Sequence, residues 1–202
     1  LSMSGSGVGI IQPKSRRITG SKLRDGDVMI GFSSSGVHAN GLTLARQIGD
    51  ELEHGYLTEM PSGQTYGDAL LTPTQNYARL MQALLAAGID IHYAVNVTGH
   101  GFRKLMRAKT LTPFTYNVSY LPPTSEIFSF MQEKGGLSDR DMFGNYNMDV
   151  GFVVMVSKSD EQRAMPVAAD LYDMFDPSRI DSFHLGDVYE SAKKRVCIPE
   201  KN

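Results

Sequence analysis

Apolar residues along this chain recur with two alternating periods, and the changes of period mark its elements. The most regular stretch holds Tyr77, Leu80, Met81, Leu84 and Leu85 at the spacing of one helical face. Thr72-Pro73 offers that helix an N-cap with proline at its first position, and Gly88 stands where a C′ residue belongs. Residues 28–32 read as a strand leaving the turn Arg24-Asp25-Gly26-Asp27, and Leu42, Leu44, Ala45 and Ile48 mark a helix over residues 40 to about 49. Residues 89–97 predict a strand, residues 102–107 the start of a helix, and residues 114–119 alternate like a half-buried strand that Pro122-Pro123 stops. Thr124 then caps a helix through residue 133 with Ile127, Phe128 and Met131 inside, and Gly135-Gly136 ends it.

Residues 138–146 have no clear period, whereas residues 150–156 are almost continuously apolar, as in a strand buried on both faces, and are expected to form the central strand. Ser159-Asp160-Glu161-Gln162 has capping-box spacing for a helix reaching about residue 175, which Pro166 should kink or delay. Residues 182–189 and 194–198 look like a closing hairpin. Upstream, residues 8–11 and 16–19 read as short strands, so residues 1–25 form an opening segment before a main domain at 26–202. Residues 50–68 are polar, Gly-rich and read as irregular. Counted together, about seven or eight strands interleave with four or five helices, which predicts an α/β (α+β) layered domain with a mixed sheet.

Composition narrows the class. At 202 residues and 41% hydrophobic, the chain can bury one core. Its net charge of -2, spread without long runs, argues against a nucleic acid held through its phosphates. The single cysteine, Cys197, cannot form an internal disulfide, which points to a reducing, cytoplasmic setting. No apolar run approaches the roughly 18 residues of a membrane span and no signal peptide is visible, so no membrane partner is expected. His54 reads as exposed, His92 and His184 as structural, and Arg16-Arg17 as a solvated strand edge; no spacing suggests a metal site.

Candidate chemistry concentrates in two turns. The strand at 28–32 runs into Ser33-Ser34-Ser35-Gly36-Val37-His38-Ala39-Asn40-Gly41 and then into a helix. A Ser- and Gly-rich turn at a helix mouth aims backbone N–H groups at one point, a place for phosphate; Ser34 and Ser35 add hydroxyls and Asn40 a cap. An ordinary polar turn fits the same spacing, because the lysine of a Walker A loop is missing. At Thr98-Gly99-His100-Gly101 a second such turn precedes Arg103, Lys104 and Arg107, with Arg103 nearest.

These stretches resemble the C-terminal domain of the aminoimidazole ribonucleotide synthetase (phosphoribosylformylglycinamidine cyclo-ligase) family. The likeness rests on residues 26–31 running into Ser34-Ser35-Gly36-Val37-His38-Ala39-Asn40-Gly41. Asn96-Val97-Thr98-Gly99-His100-Gly101-Phe102 is similar to the family's Thr-Gly-Gly-Gly turn, and residues 141–148 resemble its Met-Tyr-x-x-Phe-Asn segment. The resemblance spans roughly residues 5–198 and implies an α/β/α layered fold. It implies ATP-dependent closure of the imidazole ring of aminoimidazole ribonucleotide in de novo purine biosynthesis, from formylglycinamidine ribonucleotide, by a homodimeric enzyme. ATP and Mg2+ would be bound mainly by an N-terminal domain whose Asp-Gly-x-Gly-x-Lys motif is not found in these residues. This half is then expected to be inactive alone and to hold no catalytic residue, its partners being the ribonucleotide and its own N-terminal domain. The residues implied in substrate positioning are Ser34, Ser35 and Gly36 toward the phosphate, His38 and Asn40 toward the polar edge, and Thr98, Gly99 and Gly101 opposite, with Gly41, Arg103 and Asn147. His100 and Asp149 stand where many relatives have glycine. Two alternatives remain open: another ATP-dependent kinase or synthetase of the superfamily, of the thiamine-monophosphate kinase or selenophosphate synthetase type, or a non-catalytic ligand-binding module.

Overall fold

The computed structural model describes residues 5–169 and 179–199. Its strands form one mixed sheet: β1 (Val28–Ser33), β2 (Tyr93–Asn96), β3 (Phe114–Val118), β4 (Val150–Val156), β5 (Ser182–Glu190) and β6 (Arg195–Cys197). They lie in the order β2-β4-β1-β5-β3-β6, antiparallel except where β6 runs parallel to β3. The helices are α1 (Leu42–Glu51), α2 (Tyr66–Leu70), α3 (Ala78–Ala86), α4 (Glu126–Lys134), α5 (Asp139–Asn145) and α6 (Lys158–Ala164).

The alternation of side chains along β1 and β4 decides the layering. Val28, Ile30 and Phe32 share one face with Phe152, Val154 and Val156, and there they meet Leu80 and Leu84 of α3 and Ala164 of α6. Met29, Val153 and Met155 point the other way, toward Ala45 and Ile48 of α1, Phe128 and Met131 of α4, and Met142 of α5. Helices therefore cover both faces, the expected α/β/α arrangement. Each such large side chain taken from water contributes about 1.5–3 kcal/mol, which is why these two strands tolerate no polar alternation. At the rim, His92 Nδ1 lies 2.6 Å from Asp27 Oδ2 with both side chains buried, tying the start of β1 to the residue before β2. His92 is structural, as expected.

Several expectations are corrected. β4 lies second in the order, between β2 and β1, and β1 and β5 form the middle pair; an all-apolar run marks any interior strand, not the central one. β5 and β6 are not a hairpin, because β3 lies between them. No strand forms at 8–11 or 16–19, where the structure has a single 3-10 turn, Lys14–Arg16, and leaves Val8, Ile10 and Ile11 exposed without a neighbouring strand to bury them. Arg16 and Arg17 are exposed but lie on no strand edge. Residues 50–68 are better ordered than their polarity suggests: the 3-10 turn Gly55–Leu57 precedes α2, whose N-cap Thr65 accepts the Asp68 N–H at 3.1 Å, and Tyr66 and Met60 are buried. Residues 138–146 hold α5, started by a capping box between Ser138 and Asp141.

Helix starts were the hardest to place. α3 begins at Ala78 and not at Pro73, since Pro73 O and Thr74 Oγ1 are bonded to the 34–41 turn. α1 begins at Leu42 after the 3-10 turn Ala39–Gly41, so Gly41 takes the N-cap position expected of Asn40, whose side chain lies outside what is described. Residues Gly101–Arg107 coil as a 3-10 helix. α6 starts at Lys158 with Ser157 in the N-cap position, and a 3-10 turn, Met165–Ala168, takes over where Pro166 falls; the expected continuation to about residue 175 lies outside the described residues. Among those described, six strands and six α-helices replace the expected counts.

Candidate functional site

A register shift between Phe32 and Ser33 against β4 turns the end of β1 out of the ladder, and the 34–41 turn starts there. Its backbone is strained: His38 has φ 61° and ψ 159°, a region nearly reserved for glycine. Such a conformation persists only where neighbours over-determine it. The Ser35 N–H donates to His38 Nε2 at 3.3 Å, the His38 carbonyl accepts from the Gly41 N–H at 3.2 Å, and the ring packs its Cε1 against Gly151. The Ser35 hydroxyl donates to Pro73 O at 2.6 Å, and Thr74 Oγ1 accepts the Ala39 N–H at 3.1 Å.

Because Nε2 accepts the Ser35 N–H, a neutral His38 ring carries its proton on Nδ1. His38 is buried, with the ring of Tyr77 6.5 Å away.

The turn is fastened to a second one. Asn147 is 1% exposed, and its amide is fully used: Oδ1 accepts from Ser34 Oγ at 2.9 Å and from the Asp149 N–H at 3.0 Å, while Nδ2 donates to Gly36 O at 2.8 Å and Val37 O at 3.3 Å. Two acceptor bonds and two donor bonds exhaust a carboxamide. Asn147, expected to touch substrate, is placed instead as the tie between turns. Met148 and Asp149, which follow it, also have positive φ, 47° and 68°. Asp149 does not project a loose charge into the site: its carboxylate accepts the Ser125 N–H at 2.8 Å and its carbonyl accepts the Ser34 N–H at 3.0 Å.

Thr98, Gly99 and Gly101 approach the same wall from the other side. The Val97 N–H donates to Gly151 O at 3.0 Å, and the Gly101 N–H to Thr98 O at 2.6 Å. Gly101 has φ 49°, and a Cβ there would lie 2.1 Å from Phe143 O, so the backbone meets the end of α5 with no room for a side chain. Gly41 approaches the same segment, 3.1 Å separating its would-be Cβ from the Tyr146 ring. Burial pushes the Tyr146 phenol well above its ordinary value. His100 takes a left-handed conformation, φ 80°, and its Nδ1 meets Gly99 O at 2.9 Å.

The structure thus gathers Ser34, Ser35, Gly36, His38, Gly41 and Asn147 into one bonded unit and brings Thr98, Gly99 and Gly101 against its supporting segment. Arg103 is not brought there: its guanidinium lies against Gly144 and lines a different cavity. Tyr77 was missed. Its hydroxyl donates to Ser33 O at 2.6 Å, its ring stacks on Phe152 at 5.0 Å, and a Cβ on Gly151 would lie almost on its oxygen. The signal was Gly151 itself, a glycine inside an apolar strand, which marks close approach.

A mixed sheet between two helical layers, with a strained polar turn where β1 leads into α1, defines a layered α/β domain. The chain belongs to a family described as AIR synthase related protein, C-terminal domain, whose profile matches residues 24–171. It is 37% identical over 172 residues to the phosphoribosylformylglycinamidine cyclo-ligase of Methanothermobacter thermautotrophicus, covering 84% of this chain and 50% of that protein. The chain spans about half the length of the curated relatives it matches. Its fold is similar to that of thiamine-monophosphate kinase from Stenotrophomonas maltophilia, with TM-score 0.57 and 16% identity over 89% of this chain and 52% of that one. It is also similar to the hydrogenase maturation protein HypE solved in complex with ATP, with TM-score 0.55 and 16% identity over 87% and 46%.

Proposed function

We propose that this chain is the substrate-positioning half of an ATP-dependent phosphoribosylformylglycinamidine cyclo-ligase acting in purine biosynthesis. The reading rests on the family, on relatives of that name, and above all on the 34–41 turn that Asn147 fastens to residues 147–149. In it, the 34–41 turn receives the ribonucleotide phosphate and His38 orients the substrate's polar edge, with the 98–101 loop opposite. Among the described residues no three His, Cys, Asp or Glu side chains converge as a metal would require. ATP and Mg2+ are assigned to the N-terminal half that the family resemblance implies, where they would supply phosphoryl transfer to the amide oxygen. What these residues contribute is position and exclusion of alternatives, which suits a reaction governed by geometry and charge. The setting proposed is a cytoplasmic homodimer whose N-terminal ATP-binding domain packs on this one.

The test joins residues 1–202 to that N-terminal half and follows ATP-dependent formation of aminoimidazole ribonucleotide. The joined protein should turn over and the chain alone should not. Ring closure by the chain alone, or turnover of thiamine monophosphate in place of the ribonucleotide, contradicts the reading; the second result would favour the kinase branch that shares this fold.

A further inference from the structure

Gly151 interrupts the apolar run of β4, and the space left by its missing side chain is filled from two directions. A Cβ there would fall almost on Tyr77 Oη and 3.0 Å from His38 Cε1, so a phenol from the start of α3 and an imidazole from the strained turn meet over one bare Cα. Both side chains are buried. Glycine weakens a strand interior, and here it admits two rings that no other residue would leave room for.

Tyr77 has few ways to move. Its hydroxyl donates to Ser33 O at 2.6 Å, at the register shift where β1 leaves the ladder, and its ring lies nearly parallel to that of Phe152, with 14° between the planes. The residues before it brace the same turn: Pro73 O accepts from Ser35 Oγ at 2.6 Å, and Thr74 Oγ1 accepts the Ala39 N–H at 3.1 Å. Residues 73–77 therefore grip the turn on both sides of His38, and Tyr77 adds a ring beside the histidine's own.

A histidine at φ 61° and ψ 159° is not placed by its own backbone preference, so contacts must place its ring. One edge is fixed by the Ser35 N–H at Nε2, and the Cε1 edge by Gly151 and the phenol. We propose that Tyr77, seated on Gly151, is a positioning residue for His38: it sets the direction of the imidazole without touching substrate. The consequence for substrate rests on the cyclo-ligase reading; the placement of the ring does not.

The test compares Tyr77→Phe, which keeps the ring and removes the bond to Ser33 O, with Tyr66→Phe, which removes a similar bond, to Ala45 O at 2.8 Å, elsewhere in the core. In 1H–13C NMR of residues 1–202, the His38 Cε1–H signal, assigned by its absence in His38→Gln, should show contact with the Gly151 Hα. It should move and lose that contact in Tyr77→Phe but not in Tyr66→Phe. In the chain joined to its N-terminal half, Tyr77→Phe should raise KM for formylglycinamidine ribonucleotide about tenfold while kcat falls less than about threefold, and Tyr66→Phe should leave both unchanged. A His38 signal indifferent to Tyr77→Phe, or a signal that moves while KM stays put, would overturn the proposal and leave Tyr77 a structural residue. If the joined protein does not close the ring, the cyclo-ligase reading fails, and the His38 signal still decides whether Tyr77 places the imidazole.

Discussion

The turns at 34–41 and 98–101 look alike in sequence, each a polar, Gly-bearing stretch between a strand and a helical segment, but they are fixed by different forces. The first is held mainly by side chains brought from far along the chain, chiefly Asn147, with Thr74 and, at Ser33 beside it, Tyr77, and by one backbone bond from the Ser34 N–H to Asp149 O. The second is held by backbone, with Gly101 pressed onto Phe143 O and Tyr146 O and its N–H given to Thr98. A clamp of side chains fails when one distant partner is removed; a backbone contact fails when something is added. Positive φ at His38, Met148 and Asp149 on one side and at His100 on the other shows that both store strain, so both depend on what holds them.

The largest effect should come from adding a methyl where backbone meets backbone. Gly101→Ala combines a left-handed residue with a collision against Phe143 O, and should lower stability by about 3–5 kcal/mol, read by urea unfolding. A loss under about 1 kcal/mol would show that the loop yields and that the second turn is not rigid.

Removing the clamp comes next. Asn147→Ala leaves Gly36 O, Val37 O and the Asp149 N–H without that partner, at about 2–4 kcal/mol in total. Hydrogen exchange should quicken at residues 34–41 and stay unchanged at 98–101. Equal loosening of both turns would erase the distinction.

How much of this was legible in the sequence follows the same division. β1, β3 and β4 were readable because alternation and apolar runs are local signals; Gly101 was read only as part of a polar turn, since nothing local shows that its backbone meets the end of α5. The start of α3 was not legible, since Thr72-Pro73 is a sound local cap that bonds donated by Ser35 and Ala39 override. α5 went unseen because its capping residue is followed by aspartate in place of the usual glutamate or glutamine. The role of Asn147 was hidden for a deeper reason: a carboxamide can bind substrate or bind backbone, and only the fold shows which of its bonds are already made. Arg103 was misplaced in the same way, since its sequence position beside the second turn says nothing about which side of α5 it lies on.

The smallest effect separates the turns from the rest of the sheet. Burial pushes Glu161 up, but hydrogen bonds from Lys158 and His184 outweigh it and hold its carboxyl below the ordinary 4.5. Its stabilisation is therefore complete above that value and is lost as pH falls through the depressed one. Glu161→Gln should flatten this acid slope in pH-dependent unfolding, whereas Asn147→Ala should lower stability by the same amount across the range. An unchanged slope in Glu161→Gln would place the acid sensitivity elsewhere.

The account's central claim is that the clamped turn positions a substrate and does not exchange protons with it. Steady-state kinetics of His38→Gln, in the chain joined to its N-terminal half and followed from pH 6 to 9, tests this most directly. Glutamine keeps both a donor and an acceptor, so KM for formylglycinamidine ribonucleotide should rise while most of kcat survives. A fall in kcat of about 10²–10⁴-fold, together with loss of a titration near neutral pH, would make His38 an acid or base and contradict the account.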